Sequence, residues 1–326
     1  MISNIQILRA ISALTVVIFH TVVSGKSYQF GTDFFYKIDL WGPASVDIFF
    51  VISGFIMFYI QAKKRRTPVE FLKDRIERVV PLYWILTIAM SLLLLLSSQS
   101  LTAEAFIQSM LFYHYTLFQQ MPVLYVGWTL EYEMLFYVLF GLTLFIRQLH
   151  LSFLLCTVAL FGLVAAGLNT IVLDFLLGMI AALIFTKFKI KLHNITCLFL
   201  IALGILLITV EWPVTLPRTI YAGIPALMIF MGFLYHSAIQ SKTFNLLGDA
   251  SYSIYLVQVI SIPLSYKSFL QLPVLPFSFT AELYVVLSVV MTCLLGIMVH
   301  LFLEKPLARG IKQLKTRRQA KTAETA

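Results

Sequence analysis

Apolar runs long enough to cross a lipid bilayer recur from one end of this 326-residue chain to the other, and they restrict it to one class of fold. A crossing helix needs about 20 predominantly apolar residues. Such runs occupy residues 5–24, 42–62, 81–97, 125–146, 151–167, 169–186, 194–211, 218–237, 247–267 and 280–303. With 60% of its residues hydrophobic and 12% charged, the chain lacks the polar surface that a soluble domain of this length requires. The expected fold is all-α: a polytopic transmembrane helical bundle of about ten crossings over residues 1–304, followed by a basic tail over 305–326.

Charge placement sets the expected orientation. The chain carries 24 Lys and Arg against 15 Asp and Glu, a net charge of +9. In a soluble protein that excess would suggest nucleic acid; here topology explains it. With both termini in the cytoplasm, twenty of the basic residues fall inside and only Lys26, Lys37, Arg218 and Lys267 fall outside. That asymmetry follows the positive-inside rule. The partners expected on this basis include the bilayer itself and no nucleic acid. The Lys315–Lys321 cluster reads as a solvated end facing anionic lipid.

Two segments fit less simply. Ala105–Phe118 is short for a crossing and contains His114, so it reads as an interfacial or re-entrant helix. The first apolar run lacks a basic leader region and an obvious cleavage site, so a removable signal peptide is not expected. Cys156, Cys197 and Cys293 are scattered singly, without metal-ligand spacing or a disulfide framework. No bound metal is expected.

Polar residues inside the apolar runs mark the candidate site, because charge in a membrane helix is costly. Arg9 and His20 lie eleven positions apart in the first run. At about 100° and 1.5 Å per residue, they share one face and stand roughly 16 Å apart. The second run contains Ser45-Val46-Asp47-Ile48-Phe49-Phe50-Val51-Ile52-Ser53-Gly54-Phe55. Asp47 matches His20 in depth below the outer edge, where a carboxylate would orient the imidazole and raise its basicity. Ser53 and Gly54 suit close approach of a ligand or, equally, helix packing.

In the fourth run, Glu131 and Glu133 point about 200° apart, so only one faces a given cavity. Glu133 is the deeper and the chosen functional carboxylate; Glu131 suits an alternative partner or a structural contact. Trp128 and Tyr137 lie nearby, with Tyr137 too deep for an interfacial belt. Arg75 and Arg78, at i and i+3 before Pro81, form a pair of guanidinium forks suited to phosphate. Topological anchoring, with pairing to Asp74 and Glu77, is the competing reading. Asp249 and Ser251 resemble helix-start chemistry after a glycine turn, and Tyr252 and Tyr255 share a face that would line a cavity. Asp174 and His300 lack a surrounding motif and read as structural.

Taken in order, these segments resemble the acyltransferase-3 family of integral membrane acyltransferases, especially its exopolysaccharide O-acetyltransferase-like members. The resemblance rests on six marks. They are the Arg9-to-His20 spacing, the run Ser45–Phe55, Arg75-x-x-Arg78-x-x-Pro81, Trp128-Thr129-Leu130-x-x-Glu133-x-x-Phe136-Tyr137, Gly248–Leu256, and the closing Glu304-Lys305-Pro306. Gln258 stands where many members have a histidine, so that position receives no proton-transfer role.

The resemblance implies O-acetylation in a bacterial inner membrane: an acyl group, usually acetyl, passes from cytoplasmic acyl-coenzyme A to a carbohydrate hydroxyl. Acyl-CoA enters as donor substrate, with no permanently bound cofactor. The acceptor is a polysaccharide or lipid-linked glycan, and polysaccharide-assembly partners or a homo-oligomer are compatible. Such chemistry needs a base and stabilisation of a developing oxyanion. His20, with Asp47 or Glu133, is the candidate catalytic group. Arg9, Arg75 and Arg78 are candidates for the donor's phosphates, and Ser53, Trp128, Tyr137, Tyr252 and Tyr255 for the cavity wall. A proton-coupled transporter or flippase of a glycan is the alternative, with His20, Asp47, Glu133 and Asp174 as its relay.

Overall fold

A computed structural model describes residues 3–30, 32, 34, 38–188, 190–213, 215–271 and 280–324, without the side chains of Leu40 and of residues 316–324. Lys37, Lys189 and the tail cluster beyond Lys315 therefore lie outside the described residues or side chains. The described residues are helical with no strand. Each of the ten expected runs contains one main helix: α1 (Ser3–Ser27), α2 (Ile38–Lys63), α3 (Pro68–Leu96), α6 (Gly127–Thr143), α7 (Leu149–Ala165), α8 (Leu173–Lys187), α9 (Asn194–Ile208), α10 (Ile224–Tyr235), α12 (Ser251–Phe269) and α13 (Thr280–Val299). Five stretches among the described residues are helical, long and apolar enough to cross a membrane: Ser3–Ser27, Trp41–Lys63, Pro68–Leu96, Thr170–Lys187 and Thr280–Lys315. Leu149–Ala165, Asn194–Ile208 and Thr219–Tyr235 are shorter apolar helices.

α2 is the central element and packs on α1, α8 and α10. Its approach to α8 depends on two glycines. A Cβ on Gly54 would collide with the Phe175 carbonyl, and one on Gly178 with the backbone of Val51 and Phe55. Small residues of this kind let helix backbones close in where no hydrophobic force draws helices together in lipid. Rings fill the adjoining space: Phe175 stacks on Phe50 at 4.4 Å and on Phe136 at 4.3 Å, tying α2, α8 and α6 together.

Three elements differ from the sequence reading. α3 begins at Pro68, not near residue 81, and runs through Pro81. The reason is local: Thr67 and Glu70 form a reciprocal capping box with Pro68 at the first turn, which starts the helix in the basic loop. The segment 105–118 is two short helices, α4 (Ala103–Met110) and α5 (His114–Phe118), with Phe112 in the left-handed region between them at φ 61°. The basic tail is a helix, α14 (Lys305–Glu324), joined to α13 through a π-helical turn over His300–Glu304 and packed against α3.

Candidate functional site

A polar opening lies between α1, α2, α3, α6 and α12, towards the end of the bundle that carries the basic loops. Including its mouth, the cavity measures about 830 Å³. Eight of the eleven residues singled out from the sequence line it: Arg9, Ser53, Arg75, Arg78, Glu133, Tyr137, Tyr252 and Tyr255.

Helix geometry supplies the convergence. Arg75 and Arg78 come from successive turns of α3 because that helix begins early, before the apolar stretch. Arg9 enters from α1, where its guanidinium donates to Gln6 Oε1 at 3.0 Å and Ser251 Oγ at 2.9 Å. Ser251 opens α12 and serves as an arginine acceptor. Asp249, also expected to start that helix, instead ends α11 (Lys242–Asp249), with Gln6 donating to its carboxylate at 2.5 Å.

The arginines carry the chief electrostatic feature. Arg9 and Arg75 are each only 8% exposed, and among the described residues neither they nor Arg78 make a salt bridge. Arg75 Nε has no hydrogen-bond partner. The acids expected to compete for this pair are engaged elsewhere: Asp74 with Arg66 and Lys315, Glu77 with Lys315 at 2.6 Å. Buried cations without counter-ions are expensive. The arrangement suits a ligand that brings its own negative charge.

Glu133 is the carboxylate of this cavity. Its Oε1 accepts from Ser53 Oγ at 2.8 Å and Tyr137 O–H at 2.5 Å, across α2 and α6. Tyr252 O–H donates to the Val79 carbonyl at 2.7 Å, and Tyr255 O–H to that of Val126 at 3.1 Å. Both rings are thereby fixed as walls, as their shared helix face suggested.

The remaining three candidates stand elsewhere. Trp128 packs against Tyr115 and Tyr132, at 5.5 and 6.0 Å between ring centres. His20 has neither a hydrogen bond nor an ion pair among the described residues; its half-buried ring stands edge-on to Phe19 and Tyr125. Neither expected carboxylate orients it. Asp47 is instead committed to Arg218, whose Nε and second terminal nitrogen reach its two oxygens at 3.0 and 2.8 Å. Arg218 also donates to the Pro43 carbonyl at 3.0 Å. A bidentate guanidinium outcompetes an imidazole for a fully buried carboxylate.

Arg218 and Asp174 are the residues that sequence reasoning missed as a pair of neighbours to Asp47. Asp174 opens α8, fully buried, beside the π-helical turn Thr219–Gly223. The signal was present: Arg218 was one of four basic residues on the minority side, at an apolar boundary, opposite an unexplained acid. Glu131 proves structural. It accepts from the backbone N–H groups of Tyr115 and Thr116 at 2.8–3.0 Å and so anchors α5.

A family model described as an acyltransferase domain matches residues 2–301, nearly the whole chain. The chain belongs to the acyltransferase-3 family. A curated relative, the exopolysaccharide production protein ExoZ of Rhizobium meliloti (strain 1021), is 34% identical over 293 residues. That alignment covers 82% of this chain and 90% of the relative. No solved structure matches. Within this acyltransferase-3 chain, the motifs of α3, α6 and α12 meet in the arginine-lined cavity apart from Trp128, whereas the Arg9–His20 motif brings only Arg9 to it and the Ser45–Phe55 motif is split between it and the Arg218 pair.

Proposed function

We propose that this protein is a membrane O-acyltransferase that moves an acyl group, acetyl in the simplest case, from cytoplasmic acyl-CoA to a hydroxyl of an exported carbohydrate. The observation that carries this reading is the meeting of three arginines in one cavity, Arg9 and Arg75 buried and Arg78 at its mouth, none of them in a salt bridge among the described residues. Acyl-CoA is an anion with a long neutral arm ending in a thioester. Its phosphates match Arg9, Arg75 and Arg78, which lie at the basic end of the bundle; its arm matches the aromatic wall of Tyr137, Tyr252 and Tyr255. The twenty-to-four division of basic residues between the two expected sides supports a cytoplasmic mouth, both termini inside, and ten crossings of a bacterial plasma membrane.

The chemistry follows from the groups available. A base removes the proton from the acceptor hydroxyl, the oxygen attacks the thioester carbonyl, and the coenzyme A thiolate leaves and takes up a proton. His20 is the proposed base, placed towards the opposite end of the α1 stripe from Arg9, where a glycan would approach. Contacts run along that stripe: Arg9 to Ser251, Tyr255 to the Val126 carbonyl, and Tyr125 to His20. Glu133 accepts from Ser53 and Tyr137 and so sets their position in the cavity. An exopolysaccharide acceptor is supported by the ExoZ relative. A proton-coupled transporter is less well supported, because Asp47 is held in an ion pair and His20 contacts no carboxylate among the described residues.

The test uses purified protein in lipid with labelled acetyl-CoA and candidate glycans. Label should pass to the glycan with the native chain, and His20→Ala should abolish transfer while expression remains normal. Unchanged transfer by His20→Ala would remove that residue from the mechanism. Absence of transfer to any acceptor, with intact coenzyme A binding, would remove the proposed reaction.

A further inference from the structure

A second opening, about 970 Å³ including its open side, runs between α3 and α14. Arg78 lines both this groove and the inner cavity, so the two meet at one guanidinium. The groove's α3 wall carries Asp74, Glu77 and Arg78; its α14 wall carries Ile311, Lys312 and Lys315. We propose that the groove binds the phosphorylated, nucleotide-bearing end of the acyl donor, with Lys315 as its phosphate ligand on α14 and Arg78 as its ligand on α3. The proposal rests on the acyl-CoA reading above and deepens it by naming a subsite formed by a helix outside the matched family region.

Three observations carry it. First, Arg78 stands where a donor whose nucleotide lies in the groove would pass its diphosphate inwards, towards the buried Arg75 one helical turn away and the neutral arm beyond it. Second, the groove's acids do not make it a repulsive surface for phosphate. Lys315 spans Asp74 and Glu77 at 3.2 and 2.6 Å and Arg66 also pairs with Asp74, while Glu304, the third acid of the lining, is held by Ser253 at 2.6 Å and by the His300 ring at 2.7 Å. Third, the Lys315 side chain and its acidic partners are 23–30% exposed, in the regime where ion pairs contribute little to stability. With three N–H donors on a flexible stem, the ammonium takes on a phosphate while keeping a carboxylate partner.

The test compares two donors on the full chain in lipid: acetyl-CoA, and S-acetylpantetheine, which keeps the thioester arm but lacks the phosphates and nucleotide. Lys315→Ala should raise the KM for acetyl-CoA at least fivefold and leave that for S-acetylpantetheine unchanged; Lys315→Glu should raise the former further. Equal shifts for both donors, or no shift for either, would overturn the subsite. Equilibrium binding of coenzyme A to the same variants, without acceptor, separates this result from the reaction itself. Weakened binding in Lys315→Ala without any acyl transfer by the native chain would keep the groove and sink the acyltransferase mechanism. Unweakened binding would sink the groove alone.

Discussion

Two regions of this bundle hold guanidinium groups away from bulk water, and they treat them in opposite ways. Near the end with few basic residues, Arg218 is met by both oxygens of Asp47 and a backbone carbonyl. At the basic end, Arg9 and Arg75 are more secluded than Arg218, yet among the described residues no carboxylate comes within salt-bridge distance. The first arrangement is complete and holds α2 to the turn before α10. The second is incomplete and costs stability unless something else supplies negative charge. The difference separates a structural ion pair from a binding site more sharply than residue type does, since all three are arginines in apolar surroundings.

The comparison breaks most easily at Asp47. Asp47→Ala takes away both carboxylate oxygens that meet Arg218 and should destabilise the fold by about 3–5 kcal/mol, the range for removing one partner of a buried pair. Thermal unfolding in detergent reads this directly. The double variant Asp47→Ala/Arg218→Ala should recover a large part of the loss. If it recovers none, the pair does not hold this region together.

Arg75→Ala should do the reverse. Removing a buried, unpaired cation should leave the melting temperature unchanged or raised, while coenzyme A affinity falls about 10–100-fold, the worth of one or two charge-assisted hydrogen bonds. Titration calorimetry checks the affinity. A large fall in stability with unaltered affinity would place Arg75 in the same structural class as Arg218.

What was legible in the sequence follows the same division. Helix positions were readable because each apolar run carries its own length signal, and the early start of α3 was encoded in Thr67-Pro68-x-Glu70, a capping pattern overlooked beneath the charge of that loop. The cavity was largely readable because its residues sit on motifs with helical spacing. Glu131 and Glu133 were correctly sent to opposite faces by geometry alone. Partners across helices were not readable. The match of Asp47 to Arg218 instead of His20 depends on the turn before α10 reaching α2, a contact between residues 171 positions apart that no local period encodes.

The two neighbouring carboxylates give a smaller contrast. Glu131→Ala removes the acceptor for the Tyr115 and Thr116 N–H groups, so about 1–3 kcal/mol of stability should be lost with donor affinity retained. Glu133→Gln keeps an acceptor for Ser53 and Tyr137 and should change stability little while lowering the turnover number. Melting curves and acetyl-transfer rates on the two variants decide it. Equal behaviour would mean that the cavity does not distinguish them.

Arg78→Lys should have the smallest effect and is the finest test, because charge is kept while the planar fork is lost. Arg78 differs from Arg75 in being exposed and in bordering both openings. A lysine there still supplies a point charge to phosphate, so acetyl-CoA affinity should fall only several-fold, about 1 kcal/mol. S-acetylpantetheine affinity should not change, since that donor brings no phosphate to the fork. A loss shared by both donors would assign Arg78 to the shape of the inner cavity. An unchanged affinity for both would return it to the charge asymmetry of the membrane, where lysine and arginine are equivalent.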